Sequence, residues 1–193
     1  LSSAAALATS VRPAGSATEQ AFVGRFLQPL GFQRDEYLTL VLVIGDNPNI
    51  LFSSHVDTVH REEGFQLLDV KNGILKSIDQ NCLCADDTAG VWLMTEMIKA
   101  EIPGVYVIHH AEEHGCIGSR NLAEGNPGFF MGIDAAIAFD RMGYSNVITH
   151  QMGRRTASDA FAYSLADQLN LGFEPDSTGV YHESSSSSSL DLS

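Results

Sequence analysis

A histidine and a set of carboxylates stand in this chain where they could hold a divalent cation together. His55-Val56-Asp57 follows the apolar stretch ILFSS, Glu112-Glu113 follows VYVIHHA, Asp140 follows AAIAF, and Asp86-Asp87 precedes the apolar run TAGVWLM. Almost no lysine or arginine is interleaved with them. Gathered without a counterion, these carboxylates would repel one another and raise their own pKa values. A divalent cation removes that conflict.

Each group also has a plainer use. Asp87 or Thr88 suits the cap of a helix beginning at TAGVWLM, and capping is the role expected of Asp87, which leaves Asp86 as the chemical member of the pair. Asp57, two residues after His55, is placed to fix the imidazole tautomer. Glu112 and Glu113 could be a solvated turn, but they lie between a buried-looking strand and the glycine-bearing HGCIGS. Asp140 closes an apolar strand, where an unpartnered carboxylate is costly to bury. His60, His109, His110, His114 and His150 are expected to be structural or exposed, and Cys82-x-Cys84 without a second pair is a poor zinc signature.

The elements that must position these groups alternate between two periods. ATEQAFVGRFLQPL, residues 17–30, puts Ala21, Phe22, Phe26 and Leu30 on one helical face, with Thr18 as its cap. YLTLVLVIG, NILFSSH, GVYVIHH and DAAIAFD are short, β-rich and bounded by turn residues, which is how strands read. Helical patterns fall at Thr88 to Ala100, more weakly near Ser119 to Ala123, and at Ser158 to Leu169. Strands alternating with helices predict an α/β fold, a three-layer sandwich with a mostly parallel or mixed central sheet flanked by helices. In such sheets the functional crevice lies beyond the carboxyl ends of the strands, where His55, Glu112, Glu113 and Asp140 stand.

Composition sets outer limits. The 193 residues, 44% of them hydrophobic, suffice for one domain with a real core. A formal net charge of −13 would repel a phosphate backbone, so no nucleic acid partner is expected. Three cysteines make an odd count that reads as reduced thiols, and no apolar run reaches the roughly 18 residues of a membrane span. With no basic-then-apolar leader in LSSAAALATSVRPAGS, the expected location is cytoplasmic, although the missing initial Met leaves the true start open upstream.

SSHVDTV, CLCADDTAGV, HHAEEHGCIGS and AIAFD, in this order, resemble the co-catalytic di-zinc exopeptidases, a superfamily that includes bacterial and tetrahedral aminopeptidases, peptidase T and related carboxypeptidases and amidohydrolases. The resemblance runs from about residue 12 to residue 180. It implies that His55 and Asp140 are terminal ligands of one metal, Glu113 a ligand of the second, and Asp86 the carboxylate bridging both. It makes Glu112 the general base and Asp57 the residue behind His55. Two zinc ions are the implied cofactors, with manganese or cobalt suited to the same donors. Such a pair polarises a scissile carbonyl and acidifies a bound water.

The intervals between these motifs leave no room for an inserted domain, so residues 1–193 are expected to form a single catalytic domain, with 184–193 as a low-complexity tail. After FEPDSTGV the resemblance predicts further residues, a strand and a last histidine ligand. His182 is the histidine that remains there, while Ser184 stands where an imidazole would align, so residues are expected to be missing after Val180 and the six serines to be placeholders. Without a lid domain, selectivity must come from loops or from a neighbouring subunit in a homo-oligomer. Three functions remain open: an aminopeptidase acting on short peptides, an amidohydrolase or carboxypeptidase in which Arg154 or Arg155 clamps a substrate carboxylate, and a non-catalytic metal or peptide binder.

Overall fold

Five short runs pair into one mixed sheet: β1 (Gln33–Arg34), β2 (Leu40–Ile44), β3 (Ile50–His55), β4 (Gly104–His109) and β5 (Ala135–Ala138). Their spatial order is β1-β2-β4-β3-β5. The computed structural model describes residues 3–78, 82–179 and 189–191. β3 runs parallel to β4 on one side and to β5 on the other, and β1 and β2 form an antiparallel edge. In the β3/β4 register His55 lies opposite His109, so both strands end at the same level.

Alternation along the strands sends side chains to two faces. Phe52, Tyr106 and Ile108 pack with Phe22, Val23 and Leu27 and with Val91, Met94 and Ile98 of helix α2 (Thr88–Lys99). Leu51 and Val107 pack on the opposite face with Leu122 of helix α3 (Ile117–Gly125). The predicted three-layer α/β sandwich is thereby realised, with a mixed sheet as its middle layer.

The first helical stretch differs from its prediction. Residues 17–30 form an α-helix over Ala17–Phe22, a π turn over Val23–Leu27 and a 3-10 turn over Gln28–Leu30. The π turn adds a residue to the period, so Val23 and Leu27 join Phe22 in the core while Ala21 stays exposed. Its cap is Ser16, whose hydroxyl accepts the Glu19 amide at 3.1 Å. Thr18, the predicted cap, instead donates its hydroxyl to the Val11 carbonyl at 2.6 Å.

The chain divides into two compact units, Leu1–Asp140 with Ser186–Ser193, and Arg141–Ser185. The first also holds a small sheet in which Ile74–Ser77 is flanked by Leu68–Lys71 and Ser189–Asp191, both antiparallel to it. In the second, Asn146–Ile148 pairs in parallel with Glu174–Asp176, and His150–Gln151 pairs with Arg154–Arg155. Its helix, Asp159–Leu169, starts where Ser158 accepts the Phe161 amide at 3.0 Å, at the predicted position. Among the described residues no helix is long and apolar enough to cross a membrane.

Candidate metal centre

The first unit builds the acidic cluster from the carboxyl ends of three neighbouring strands and one helix start. His55 is the last residue of β3, Glu112 and Glu113 follow β4, Asp140 follows β5, and Asp86 lies just ahead of α2. The His55 imidazole is 2% exposed, and its Nε2 stands 3.1 Å from Asp86 Oδ1, 3.8 Å from Glu112 Oε2 and 4.0 Å from Asp140 Oδ1. Asp86 is half exposed, so the cluster opens to solvent on that side.

Behind the imidazole, Asp57 is fully buried. Its backbone carbonyl lies 3.1 Å from His55 Nδ1 and its carboxylate 3.5 Å from the same nitrogen. The two carboxylate oxygens accept the backbone amides of Glu112 at 3.0 Å and Glu113 at 3.1 Å. A single carboxylate therefore orients the ring and fixes the loop carrying both glutamates.

Asp87 caps α2 as expected, accepting the Gly90 amide at 3.0 Å, and it also accepts the Ser54 hydroxyl. Gly90 is required at this start. A Cβ there would lie 2.6 Å from the Asp87 carboxylate and would also strike the Phe139 carbonyl. Gly118 plays the same part under the glutamate loop, where a Cβ would lie 2.8 Å from the His110 amide nitrogen.

The electrostatics are those of carboxylates crowded around one imidazole. Burial works against a charged His55, but hydrogen bonds to Asp57 and Asp86 outweigh it and hold the ring well above its ordinary pKa. Burial and the nearby Asp86 push Glu113 up to about 7, and desolvation with Asp86 and Glu112 alongside pushes Asp140 up to about 6. Burial also raises Asp87, with Asp140 and Asp86 adding to the effect.

These residues suit a divalent cation. His55, Glu112 and Asp140 form one donor group and His55, Asp86 and Glu113 another, each with its ligand atoms within 4.8 Å of one another. Among the described residues Glu113 Oε1 is buried without a hydrogen-bond partner, which is an expensive state for a carboxylate oxygen unless something positive meets it. Glu112, expected only as a base, is thus also near enough to His55 and Asp140 to serve as a donor.

Three supports had no signal in the sequence. Arg12 is fully buried, donating from Nε to the Val56 carbonyl at 2.9 Å and from Nη2 to the Thr88 hydroxyl at 2.7 Å, with its guanidinium 3.9 Å from the centre of the Phe22 ring. Burial lowers its pKa to about 10, so it remains a cation beneath the acidic cluster. His60 spans the Thr58 hydroxyl and the Cys82 carbonyl, at 3.1 and 3.0 Å. Cys116 donates its thiol to Glu112 Oε1 at 3.3 Å, and burial together with that hydrogen bond pushes the thiol up to about 11.

The remaining histidines expected to be structural divide accordingly. His109 is pushed down to about 4 by burial, His110 stands 3.0 Å from the buried Glu19, and His114 is exposed. Arg154 and Arg155 fall in the second unit and are exposed, with Arg155 paired to Asp159 at 2.8 Å. His182 and Ser184 lie outside the described residues.

The fold and the gathered donors define an α/β protein built around an acidic crevice whose side chains could hold a divalent cation. Residues 40–189 match the model of Peptidase family M28, and the chain belongs to that family. Among solved structures, the tripeptidase from Staphylococcus aureus subsp. aureus Mu50 aligns with a TM-score of 0.59 and 23% identity, over 75% of this chain and 43% of its own. Aminopeptidase PepT from Bacillus cereus ATCC 10987 aligns with the same score, at 21% identity over the same shares. The dodecamer PhTET1-12s aligns with a TM-score of 0.66 and 14% identity, over 94% of this chain and 91% of its own. The chain thus spans less than half the length of the tripeptidase and of PepT. No curated protein matches it.

Proposed function

We propose that this chain is the catalytic domain of a two-metal exopeptidase, an aminopeptidase acting on short peptides. The observation that carries the reading is the convergence of His55, Asp86, Glu112, Glu113 and Asp140 around one opening, with a buried Glu113 oxygen unpartnered among the described residues. In this reading Asp86, His55 and Asp140 would hold one of two zinc ions, and Asp86, Glu113 and His182 would hold the other. When bound, such ions polarise the scissile carbonyl and acidify water. Glu112 would act as the general base, taking a proton from the attacking water and passing it to the leaving amine, while Asp57 keeps both the imidazole and the glutamate loop in place.

The acidic rim, with the carboxylates of Asp86, Glu112, Glu113 and Asp140 gathered there, supports a substrate bearing a free α-ammonium group. The names of the tripeptidase and of aminopeptidase PepT support peptides as the substrate class, and the dodecameric PhTET1-12s supports a homo-oligomer. Three free cysteines support a reducing compartment, the cytoplasm.

Elemental analysis combined with hydrolysis of aminoacyl, N-acyl and C-terminal dipeptide substrates tests the reading. Two metal equivalents and turnover of the aminoacyl class are expected. Turnover confined to the other two classes would make it an amidohydrolase or carboxypeptidase, and bound metal without any turnover would make it a binding protein.

A further inference from the structure

Glu112 is held at both ends of its residue by Cys116. The Cys116 amide donates to the Glu112 carbonyl at 2.8 Å, and the Cys116 thiol lies 3.3 Å from Glu112 Oε1. The other carboxylate oxygen, Oε2, is the one 3.8 Å from His55 Nε2. One oxygen therefore faces the thiol and the other faces the cluster. Cys116 is itself pinned: it sits in the left-handed region at φ 58°, and its carbonyl accepts the Arg120 amide at 3.0 Å and the Ser119 hydroxyl at 3.1 Å. A non-glycine residue in that conformation is held by its surroundings rather than by its own preference. The thiol belongs to neither donor group around His55.

We propose that Cys116 is a positioning residue for Glu112: its S–H donates to Oε1 and so fixes the carboxylate with Oε2 turned to the cluster. The inference rests on the reading of Glu112 as the general base. A carboxylate on two rotatable side-chain bonds beyond Cβ has several rotamers, and a hydrogen bond to one oxygen selects the one in which the other faces the reacting water. Losing that selection lowers the fraction of enzyme with its base in place. It therefore lowers kcat and leaves KM alone.

The experiment compares Cys116→Ala, Cys116→Ser, Glu112→Gln and the Glu112→Gln/Cys116→Ala pair as metal-loaded enzymes on an aminoacyl anilide. One ordinary hydrogen bond corresponds to about a 3- to 10-fold effect on rate. Cys116→Ala should lose about that much in kcat, with KM, metal content and thermal midpoint unchanged. Cys116→Ser, whose hydroxyl can still donate, should recover most of it. In the Glu112→Gln background the alanine change should add nothing. Wild-type kcat in Cys116→Ala, equal losses in the alanine and serine variants, or a fall in metal content would each overturn the proposal. Failure of the underlying reading looks different, because Glu112→Gln would then retain its turnover or lose it together with its metal.

Discussion

Asp57 Oδ1 accepts the backbone amide of Glu112 at 3.0 Å, across 55 positions of sequence. Because the same buried carboxylate also takes the Glu113 amide and flanks His55 Nδ1, it ties the β3 end to the loop after β4.

Asp57→Asn keeps the shape but only one of the two acceptor oxygens, so one partly buried amide loses its partner. The expected cost is about 1–3 kcal/mol in stability and about 10- to 100-fold in metal affinity. Metal titration and denaturant midpoints measure both, and unchanged affinity would remove Asp57 from the positioning role. Burial alone would raise the Asp57 carboxyl, but His55 and the two amides outweigh it and hold it below its ordinary value. Its stabilising contribution is therefore present above the unfolded value of 3.8 and is lost as pH falls through the lower folded value.

Glu112→Gln preserves shape and removes the base. Turnover should fall by about 100- to 10,000-fold with the fold intact. Metal content should hold, and this is the sharper outcome, since Glu112 also lies within reach of His55 and Asp140 as a donor. A variant that loses metal along with activity would make Glu112 a ligand rather than a base.

The members of the cluster were legible because each follows a short apolar strand, or precedes an apolar helix, and the carboxyl ends of neighbouring parallel strands come together by topology. Asp87 was legible as a cap because the helix it starts is local in sequence. What could not be read are contacts whose partners are far apart. Arg12 bonds Val56 and Thr88, 44 and 76 positions away, and nothing in VRPAGS distinguishes it from a surface arginine. Helical periodicity misplaced Ala21 because a π turn over Val23–Leu27 breaks the period it assumes. The Cys116 thiol has a local partner, but its contact depends on a positive φ that a cysteine does not announce.

Gly90→Ala tests the junction of α2 with the end of β5. The added methyl group meets the Asp87 carboxylate and the Phe139 carbonyl, neither of which can yield without moving a neighbour of Asp86 or Asp140. Overpacking of this kind costs about 1–3 kcal/mol. Denaturant unfolding should show that loss, and metal titration a weaker site. Wild-type behaviour in both would mean that α2 can shift without disturbing the cluster.

The His110–Glu19 pair sets a pH dependence of opposite sign to that of Asp57. Glu19 is fully buried and His110 partly so, with His110 Nδ1 3.0 Å from Glu19 Oε1. That hydrogen bond, against the opposing effect of burial, holds the His110 ring above its ordinary value of 6.5. A raised pKa means that the folded state binds the proton more tightly than the unfolded chain. The contribution is therefore complete below 6.5 and disappears as pH rises through the higher folded value. In His110→Gln the amide can still donate to Glu19 but does not titrate. Denaturant midpoints of the two proteins, measured in steps across neutral pH, should converge or cross as pH rises, with wild type losing stability relative to the variant. A constant difference between the two curves would show that His110 does not gain its proton from the contact with Glu19.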